Sequence, residues 1–426
     1  MAKPLRGERS NGPEEARALA LAEELGTQLG RLKGAGPKIR QFLSMVQLDA
    51  ARDGERSLHA LGAIPEGTRA IPFGRVRRVI EQDLDARVDE LFADVEEEPF
   101  ALASLGQVHR ARTSDGEDVA VKVQHSGVGD AVEADLRNLG LVGPIIKRLA
   151  PGLDSSALLA EVRERISDEL DYELEAQHQR RLERLFRGHP HLRLPRVHTD
   201  LSARRVLVTE YVEGLRTDAI KALGDAERDR IGEIAFRFFF GLAWLDGVVA
   251  GDPHPDNCIL CPDGRLCLLD FGLLRDLEAD YLQGERDVRR ALADDDPQRV
   301  HAGLSRLGYL AQPQPFDRDA LHAHLATAGE WMLVKGFRRV NPEHVTKIFE
   351  LGYPPRSPYF PVMRRLRMPP PTLLLRRMEV QVLSLLGDFH AGADWGAIAA
   401  EYHSDESAST DLGREDHAFH EGHARR

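Results

Sequence analysis

The chain has 426 residues, of which 42% are apolar and 30% are charged, and its formal net charge is -12. This composition predicts a globular protein with more than one domain. We expect no nucleic-acid partner, because surfaces that bind nucleic acids are basic.

Apolar segments and cysteines are the features of the sequence that bear on the cellular compartment. No apolar signal-peptide core is visible in residues 1–15, and the longest apolar run, residues 234–250, is interrupted by Arg237 and Asp246. A bilayer span needs about twenty mostly apolar residues. The three cysteines are an odd number and give no disulfide framework. We therefore expect a cytoplasmic protein with buried thiols and a buried core helix over 234–250, while peripheral membrane contact stays open.

Helices are predicted at the start of the chain. Apolar residues recur at helical spacing in residues 14–44, with a break at 34–37, and again in residues 71–92. Lys38 and Gln41 lie three positions apart after the break and share one helix face. Spacing alone predicts that this face is solvated.

The spacing of apolar residues then changes from that of helices to that of strands. Residues 100–124 read as two strands around a Thr-Ser-Asp-Gly turn. Ala101, Ala103 and Ser104 open the first strand and suit a loop that closes over phosphates, although alanine makes it stiffer than glycine would. Lys122 lies among valines in the second strand, where its ammonium could reach a nucleotide. The alternative is a gatekeeper lysine on an edge strand.

A long charged helical stretch follows over residues 154–186. One of its carboxylates would be needed to orient Lys122, and the residues alone do not say which. Residues 204–210 then read as a strand that leads into a hinge, where the backbone of Glu210 and Val212 could bind an adenine edge. A strand that simply ends in a turn is the alternative.

The polar residues with the most specific spacing come next. Asp252 is followed five positions later by Asn257, and a short apolar run then presents Asp270 in an Asp-Phe-Gly. In phosphoryl transfer, the first aspartate orients the attacking hydroxyl, and the amide and second aspartate hold divalent metal. The alternative is a polar turn before a strand. Further helices broken by proline-rich pieces follow, and the polar, His-rich residues 404–426 are predicted to be disordered.

Taken together, these motifs resemble the UbiB/AarF/ADCK family of atypical protein-kinase-like proteins. The matching stretches are an Ala-rich loop with Gln-Val-His at 99–109, a lysine strand at 119–124, a Glu-x-Asp motif at 169–176, a catalytic loop at 252–257 and the Asp-Phe-Gly at 270–272.

The resemblance implies an α+β, protein-kinase-like bilobal fold with an N-terminal helical extension and a mostly helical C-terminal lobe. The implied parts are a disordered start at 1–13, the extension at 14–95, the N-lobe at 96–213, the C-lobe at 214–403 and the tail at 404–426.

The resemblance also implies ATP and Mg²⁺ as cofactors. Lys122 would contact the phosphates and pair with Glu175, Asp252 would act on the nucleophile, and Asn257 and Asp270 would hold magnesium. An N-terminal motif with Lys38 and Gln41 would fold over the site and regulate it, and Glu169 and Asp171 are assigned to the same regulatory set. Two departures stand out, because Arg40 and Asp256 replace glycines usual in the family.

The function implied is that of an atypical kinase or ATPase linked to isoprenoid quinone or lipid metabolism, with an isoprenoid lipid or quinone-pathway protein as partner. Protein phosphorylation would be suppressed by the extension and the Ala-rich loop. Two alternatives stay open: a small-molecule kinase of the aminoglycoside or choline type, and a non-catalytic nucleotide-binding scaffold or lipid-binding regulator.

Overall fold

The computed structural model describes residues 12–30, 39, 70–103, 105–310, 316–352 and 357–424. A five-stranded sheet forms the basis of the first lobe, and the second lobe is mostly helical. The predicted α+β, kinase-like bilobal fold is therefore confirmed.

The sheet of the N-lobe is antiparallel, with strand order β1-β3-β4-β6 and β2 paired to β3. The elements up to its last strand are α1 (Gly12–Gly30), α2 (Phe73–Leu84), α3 (Val88–Leu91), β1 (Phe92–Val95), β2 (Ala101–Leu102), β3 (Gly106–Thr113), β4 (Asp118–Gln124), α4 (Val128–Asn138), α5 (Gly143–Leu149), α6 (Ser155–Asp168), α7 (Tyr172–Leu185), β5 (Leu192–Arg193) and β6 (Val206–Glu210).

Helix α2 belongs to the core of this lobe. Its buried residues Val76, Val79 and Ile80 pack in one cluster with Val119 and Val121 of β4. Because β1 also pairs with β3, the sheet begins before residue 96, where the boundary between extension and N-lobe was predicted.

The charged stretch predicted as one helical segment is two helices. The first ends at Asp168, and Asp171 caps the start of the second, because its carboxylate accepts hydrogen bonds from the N–H groups of Glu173 and Leu174, both at 3.1 Å. An aspartate in this position satisfies two of the N–H groups that a helix start leaves without partners. The resulting corner turns α7 toward the cleft between the lobes.

The C-lobe is built around two buried helices, α9 and α16, whose apolar side chains belong to the large core. Its elements are α8 (Thr217–Lys221), α9 (Asp225–Trp244), β7 (Val248–Ala250), β8 (Cys258–Leu260), β9 (Leu266–Leu268), β10 (Leu274–Asp276), α10 (Ala279–Ala293), α11 (Pro297–Arg306), α12 (Arg318–Ala328), α13 (Glu330–Leu333), β11 (Arg338–Arg339), α14 (Pro342–Gly352), α15 (Phe360–Met363), α16 (Pro370–Asp388), β12 (Gly392–Ala393), α17 (Trp395–His403) and α18 (Asp411–Ala424).

Several predictions for this lobe can be compared with the structure. The predicted core helix is α9, which ends at Trp244 and is followed by the short strand β7. All three cysteines are free and buried, as expected. Within the described ranges, no helix is both long and apolar enough to cross a bilayer.

The prediction of a disordered tail is wrong for most of residues 404–424, because they contain helix α18. This helix is mostly polar, and it is anchored to the rest of the protein by charged contacts together with Leu412 and Phe419, which pack against the large core. Asp416 is buried and lies 3.0 Å from Nε2 of His189, which is 227 residues away in the sequence. Hydrophobic periodicity cannot reveal an anchor of this kind.

Candidate active site

The central contact of the cleft joins strand β4 to helix α7. The Lys122 ammonium donates to both carboxylate oxygens of Glu175, at 2.8 and 2.9 Å. Burial alone would lower the pKa of Lys122, but its attraction to Asp270 and Glu175 outweighs burial and holds that pKa well above its usual range. Lys122 therefore stays protonated and carries a positive charge into the cleft.

Asp270 lies on the opposite side of the same ammonium. Its Oδ2 is 3.5 Å from Lys122 Nζ, and its backbone has a φ of 65°. Positive φ is uncommon outside glycine and is a strain that occurs at functional sites. The Leu269 N–H donates to the Asn257 carbonyl at 2.9 Å. Asn257 is thereby placed beside the residue that precedes Asp270.

Asp252 is held by helix α16 of the C-lobe. Arg377 donates to its Oδ1 at 2.7 Å and to the Gly251 carbonyl at 2.5 Å, and Gln381 donates to the same Oδ1 at 2.9 Å. The helix approaches so closely that a Cβ on Gly251 would lie 2.2 Å from Leu374. Glycine at position 251 is therefore required for this contact.

Lys122, Glu175, Asp252 and Asp270 line one small cavity, which Asn257 does not line. Its lining residues are Leu105, Lys122, Glu169, Tyr172, Glu175, Asp252, Asp270, Gly272 and Leu273. Carboxylates and a lysine facing one space suit a nucleotide and Mg²⁺, because Mg²⁺ binds one or two protein carboxylates together with substrate phosphates. Asp270 has the partly exposed carboxylate that such a metal needs, with a side chain 37% exposed.

The Ala-rich loop forms a tight hairpin above this cavity. Ala101 pairs with Val108 of β3, and the Ala103 N–H donates to the Gly106 carbonyl at 2.9 Å. A Cβ on Gly106 would lie 2.3 Å from the Val123 carbonyl oxygen, so the hairpin lies directly on β4. Ser104 lies outside the described residues.

Among the described residues, the predicted hinge has backbone N–H groups with and without hydrogen-bond partners. The Glu210 N–H donates to the Arg196 carbonyl at 2.8 Å, and the Glu210 carboxylate accepts from Arg193 at 2.5 Å. Within the described part of the chain, the Val212 N–H donates no hydrogen bond. Val212 is therefore a hinge position whose N–H group is available to a ligand.

The predicted regulatory motif is described only in part. Lys38, Arg40 and Gln41 lie outside the described residues. Glu169 lines the cleft cavity, whereas the Asp171 carboxylate caps the N-terminus of α7. The two acidic residues of the Glu-x-Asp motif therefore have different surroundings.

Four residues of the site were missed by sequence reasoning: Tyr172, His178, Arg377 and Gln381. The Lys122 ammonium lies 4.8 Å from the ring centre of Tyr172. His178 donates through Nδ1 to the Phe271 carbonyl at 2.9 Å. A signal existed for Arg377 and Gln381, which are polar residues four apart in a leucine-rich helix and so share a face.

A lysine–glutamate pair below a hairpin, a catalytic loop and an Asp-Phe-Gly aspartate together define a kinase-like fold. Comparison with protein families supports this class and narrows it, because the model of the ABC1 atypical kinase-like domain matches residues 65–303. That match covers more than half of the chain. The chain therefore belongs to the ABC1 atypical kinase-like family, and the resemblance to the UbiB/AarF/ADCK proteins is confirmed.

Known proteins similar to the chain agree with this assignment. AarF domain-containing protein kinase 1 of Xenopus laevis is 29% identical over 283 residues, covering 65% of this chain and 54% of that protein. Atypical kinase COQ8B, mitochondrial, of Danio rerio is 30% identical over 262 residues, covering 60% of this chain and 41% of that protein. The chain thus matches only about half the length, or less, of these two curated relatives.

A solved structure is similar over nearly the whole chain. It is Rv3197 of Mycobacterium tuberculosis in complex with erythromycin, with a TM-score of 0.63 and 25% sequence identity. The similarity covers 92% of this chain and 98% of that one.

Proposed function

We propose that this chain binds ATP with Mg²⁺ in the cleft between its lobes and transfers or hydrolyses the γ-phosphate. One observation carries the proposal: the Lys122 ammonium, held by Glu175, lies 3.5 Å from the Asp270 carboxylate in the cavity that Asp252 also lines. A scaffold that only bound nucleotide would have no need of an oriented Asp252.

Each side chain has a distinct task in this proposal. Lys122 binds the phosphates, and Glu175 orients it in a site where burial strengthens every charge interaction. Asn257 and Asp270 would hold Mg²⁺, which when bound neutralises charge on the phosphates. Asp252 orients or deprotonates the attacking hydroxyl or water, and Arg377 and Gln381 hold its Oδ1 in place.

The acceptor and the pathway are finer parts of the proposal. The family resemblance supports ATP hydrolysis, or phosphoryl transfer linked to isoprenoid quinone or lipid metabolism, over phosphorylation of proteins. Similarity to Atypical kinase COQ8B and to the AarF domain-containing kinases supports the kinase-like class.

The test is multiple-turnover ADP release with and without Mg²⁺, for the wild type, Asp270→Asn and Lys122→Ala. We expect Mg²⁺-dependent turnover in the wild type and a loss of about 100-fold or more in both variants. Asp256→Asn is the matched control, because it removes a nearby carboxylate that bonds to Thr217 instead of facing the cavity. A wild type that binds ATP yet turns over no faster than the two variants, with or without lipid vesicles or phenolic compounds, would exclude catalysis.

A further inference from the structure

A second cavity lies inside the helical C-lobe, apart from the ATP cleft. Its volume is about 180 Å³, and large apolar side chains form most of its wall, among them Trp331, Met332, Phe349, Phe360 and Met363. A dry cavity of about 150 Å³ lined by apolar residues is enough to bind benzene in another protein. The cavity therefore has room for an apolar group somewhat larger than one aromatic ring.

The positive and negative side chains of the cavity wall are not equal in number. Four arginines and two glutamates line the cavity, which leaves an excess of positive charge. Arg289 and Arg376 belong to a buried network with Glu285 and Glu379, in which Arg376 Nη1 lies 2.8 Å from Glu379 Oε2 and the contacts Arg289–Glu379 and Arg376–Glu285 are closer still. These four charges compensate each other.

The other two lining arginines supply the excess. Arg364 donates to the Arg148 carbonyl at 3.2 Å and lies over the ring of Phe360, and its Nε is buried with no hydrogen-bond partner among the described residues. Arg367 is exposed. Neither has a carboxylate partner in the part of the chain that the structure describes. Both are therefore free to bind an anion at the cavity.

We infer that this cavity is a binding site for a small amphiphile with an apolar body and one anionic end. The body would gain free energy in proportion to the apolar area it buries against the wall. The anion would form charge-assisted hydrogen bonds with Arg364 and Arg367. A carboxylate and a phosphate monoester can both form such bonds, whereas an ammonium group would be repelled by the excess positive charge.

The site is separated from the ATP cleft by helix α16. Arg376 and Glu379 on one side of that helix line the cavity, while Arg377 and Gln381 on another side hold Asp252. A ligand of the cavity therefore need not displace ATP, and its binding can be measured without any turnover.

The experiment uses the full chain and intrinsic tryptophan fluorescence, because Trp331 is one of only three tryptophans and lines the cavity. The probe is 8-bromooctanoate, whose bromine quenches a tryptophan in contact with it. We expect saturable quenching that persists with saturating ATP and Mg²⁺ and is lost in Trp331→Phe. Octanoate and octyl phosphate should displace the probe, 1-octanol should do so more weakly, and octylammonium should not. The relative strength of octanoate and octyl phosphate tells which anion the site prefers.

Arg367 offers a variant that leaves the core intact, since it is exposed. Arg367→Gln should weaken octanoate about tenfold, the effect of one charge-assisted hydrogen bond, and leave 1-octanol unchanged. Arg367→Lys should restore most of the binding. The inference is overturned by any of three results: no saturable quenching at millimolar probe, equal quenching in Trp331→Phe, or equal weakening of octanoate and 1-octanol by Arg367→Gln.

Discussion

Arg377 and Asp252 are 125 residues apart in the sequence and are joined by a hydrogen bond of 2.7 Å. The Arg377 side chain is fully buried, with 0% exposure, and it also donates to the Gly251 carbonyl. A cation deep in the C-lobe thus fixes both the backbone and the carboxylate of the catalytic loop. Preorganisation of this kind keeps a reacting group within the narrow geometry that chemistry requires.

The first prediction concerns this contact. Arg377→Gln should lower kcat for ATP turnover by about 10- to 100-fold, because displacement of a catalytic group by about 1 Å has an effect of that size. The Kd for ATP should stay within about threefold, since Arg377 does not line the ATP cleft. Arg377→Lys should not restore kcat, because one ammonium cannot reproduce the two contacts of the guanidinium. Equal losses in kcat and ATP affinity would show that Arg377 acts on the whole fold instead.

A second prediction separates the lysine–glutamate pair from general effects on helix α7. Glu175→Gln keeps the shape of the side chain but removes the charge that holds Lys122, and it should weaken ATP binding about tenfold. Glu173→Gln is the matched control, because Glu173 lies two residues earlier on the same helix and is exposed. Calorimetric titration with ATP and Mg²⁺ measures both. If the two variants bind ATP equally well, Glu175 does not position the lysine.

The third prediction concerns Asp256, which replaces a glycine usual in the family and whose carboxylate could either strengthen cation binding or face solvent. Its Oδ1 accepts a hydrogen bond from Thr217 Oγ1 at 2.8 Å, and its side chain is 67% exposed. Asp256→Gly should therefore leave the Mg²⁺ concentration for half-maximal turnover within about twofold, since an exposed carboxylate contributes little. Asp270→Asn should raise that concentration strongly. A large shift for Asp256→Gly would place its carboxylate at the metal.

A fourth prediction concerns the pH dependence of the contact that joins α17 to α9 through Glu401. Burial would raise the pKa of Glu401, but hydrogen bonds from His417, Arg237 and Ser409 outweigh burial and lower that pKa to about 2. A carboxyl with a lowered pKa in the folded state stabilises the protein above its unfolded pKa and loses that contribution as the pH falls toward 2.

Glu401→Gln should therefore reduce the free energy of unfolding by roughly 3 kcal/mol at pH 7, and the difference from wild type should shrink between about pH 4.5 and pH 2. Denaturant unfolding at several pH values measures this. Glu415→Gln is the control, because the Glu415 side chain is 59% exposed and its pair with His191 should contribute less than about 1 kcal/mol. A difference that stays constant down to pH 2 would contradict the assignment.

The sequence predicted the parts of the site that local patterns carry. Short, continuous motifs predicted several residues of the cleft. They are Lys122, which lies in a strand of valines, and Asp252, Asn257 and Asp270, which are recognised by their spacing. Glu175 was assigned only through the family resemblance, since several carboxylates share its helical stretch. The kinase-like fold followed from the same motifs.

Long-range contacts between polar groups could not be predicted. Arg377 meets Asp252 only because α16 packs on the catalytic loop, and the spacing of Arg377 and Gln381 indicates a shared helix face without indicating what that face contacts. Helix α18 was missed for the same reason, because it is held by distant contacts: Asp416 with His189, and Phe419 with Phe186. Such contacts leave no periodic trace in the sequence.

The most direct test of the account is made on Asp252→Asn, with ATP affinity and multiple-turnover ADP release measured on the same sample. Asparagine keeps the shape and an oxygen that can accept from Arg377 or Gln381, but it cannot take a proton from the nucleophile. We predict ATP affinity within about threefold of wild type and turnover reduced by about 100-fold or more. Turnover equal to wild type, with ATP still bound, would show that the cleft built around Asp252 is not where the phosphoryl group is transferred.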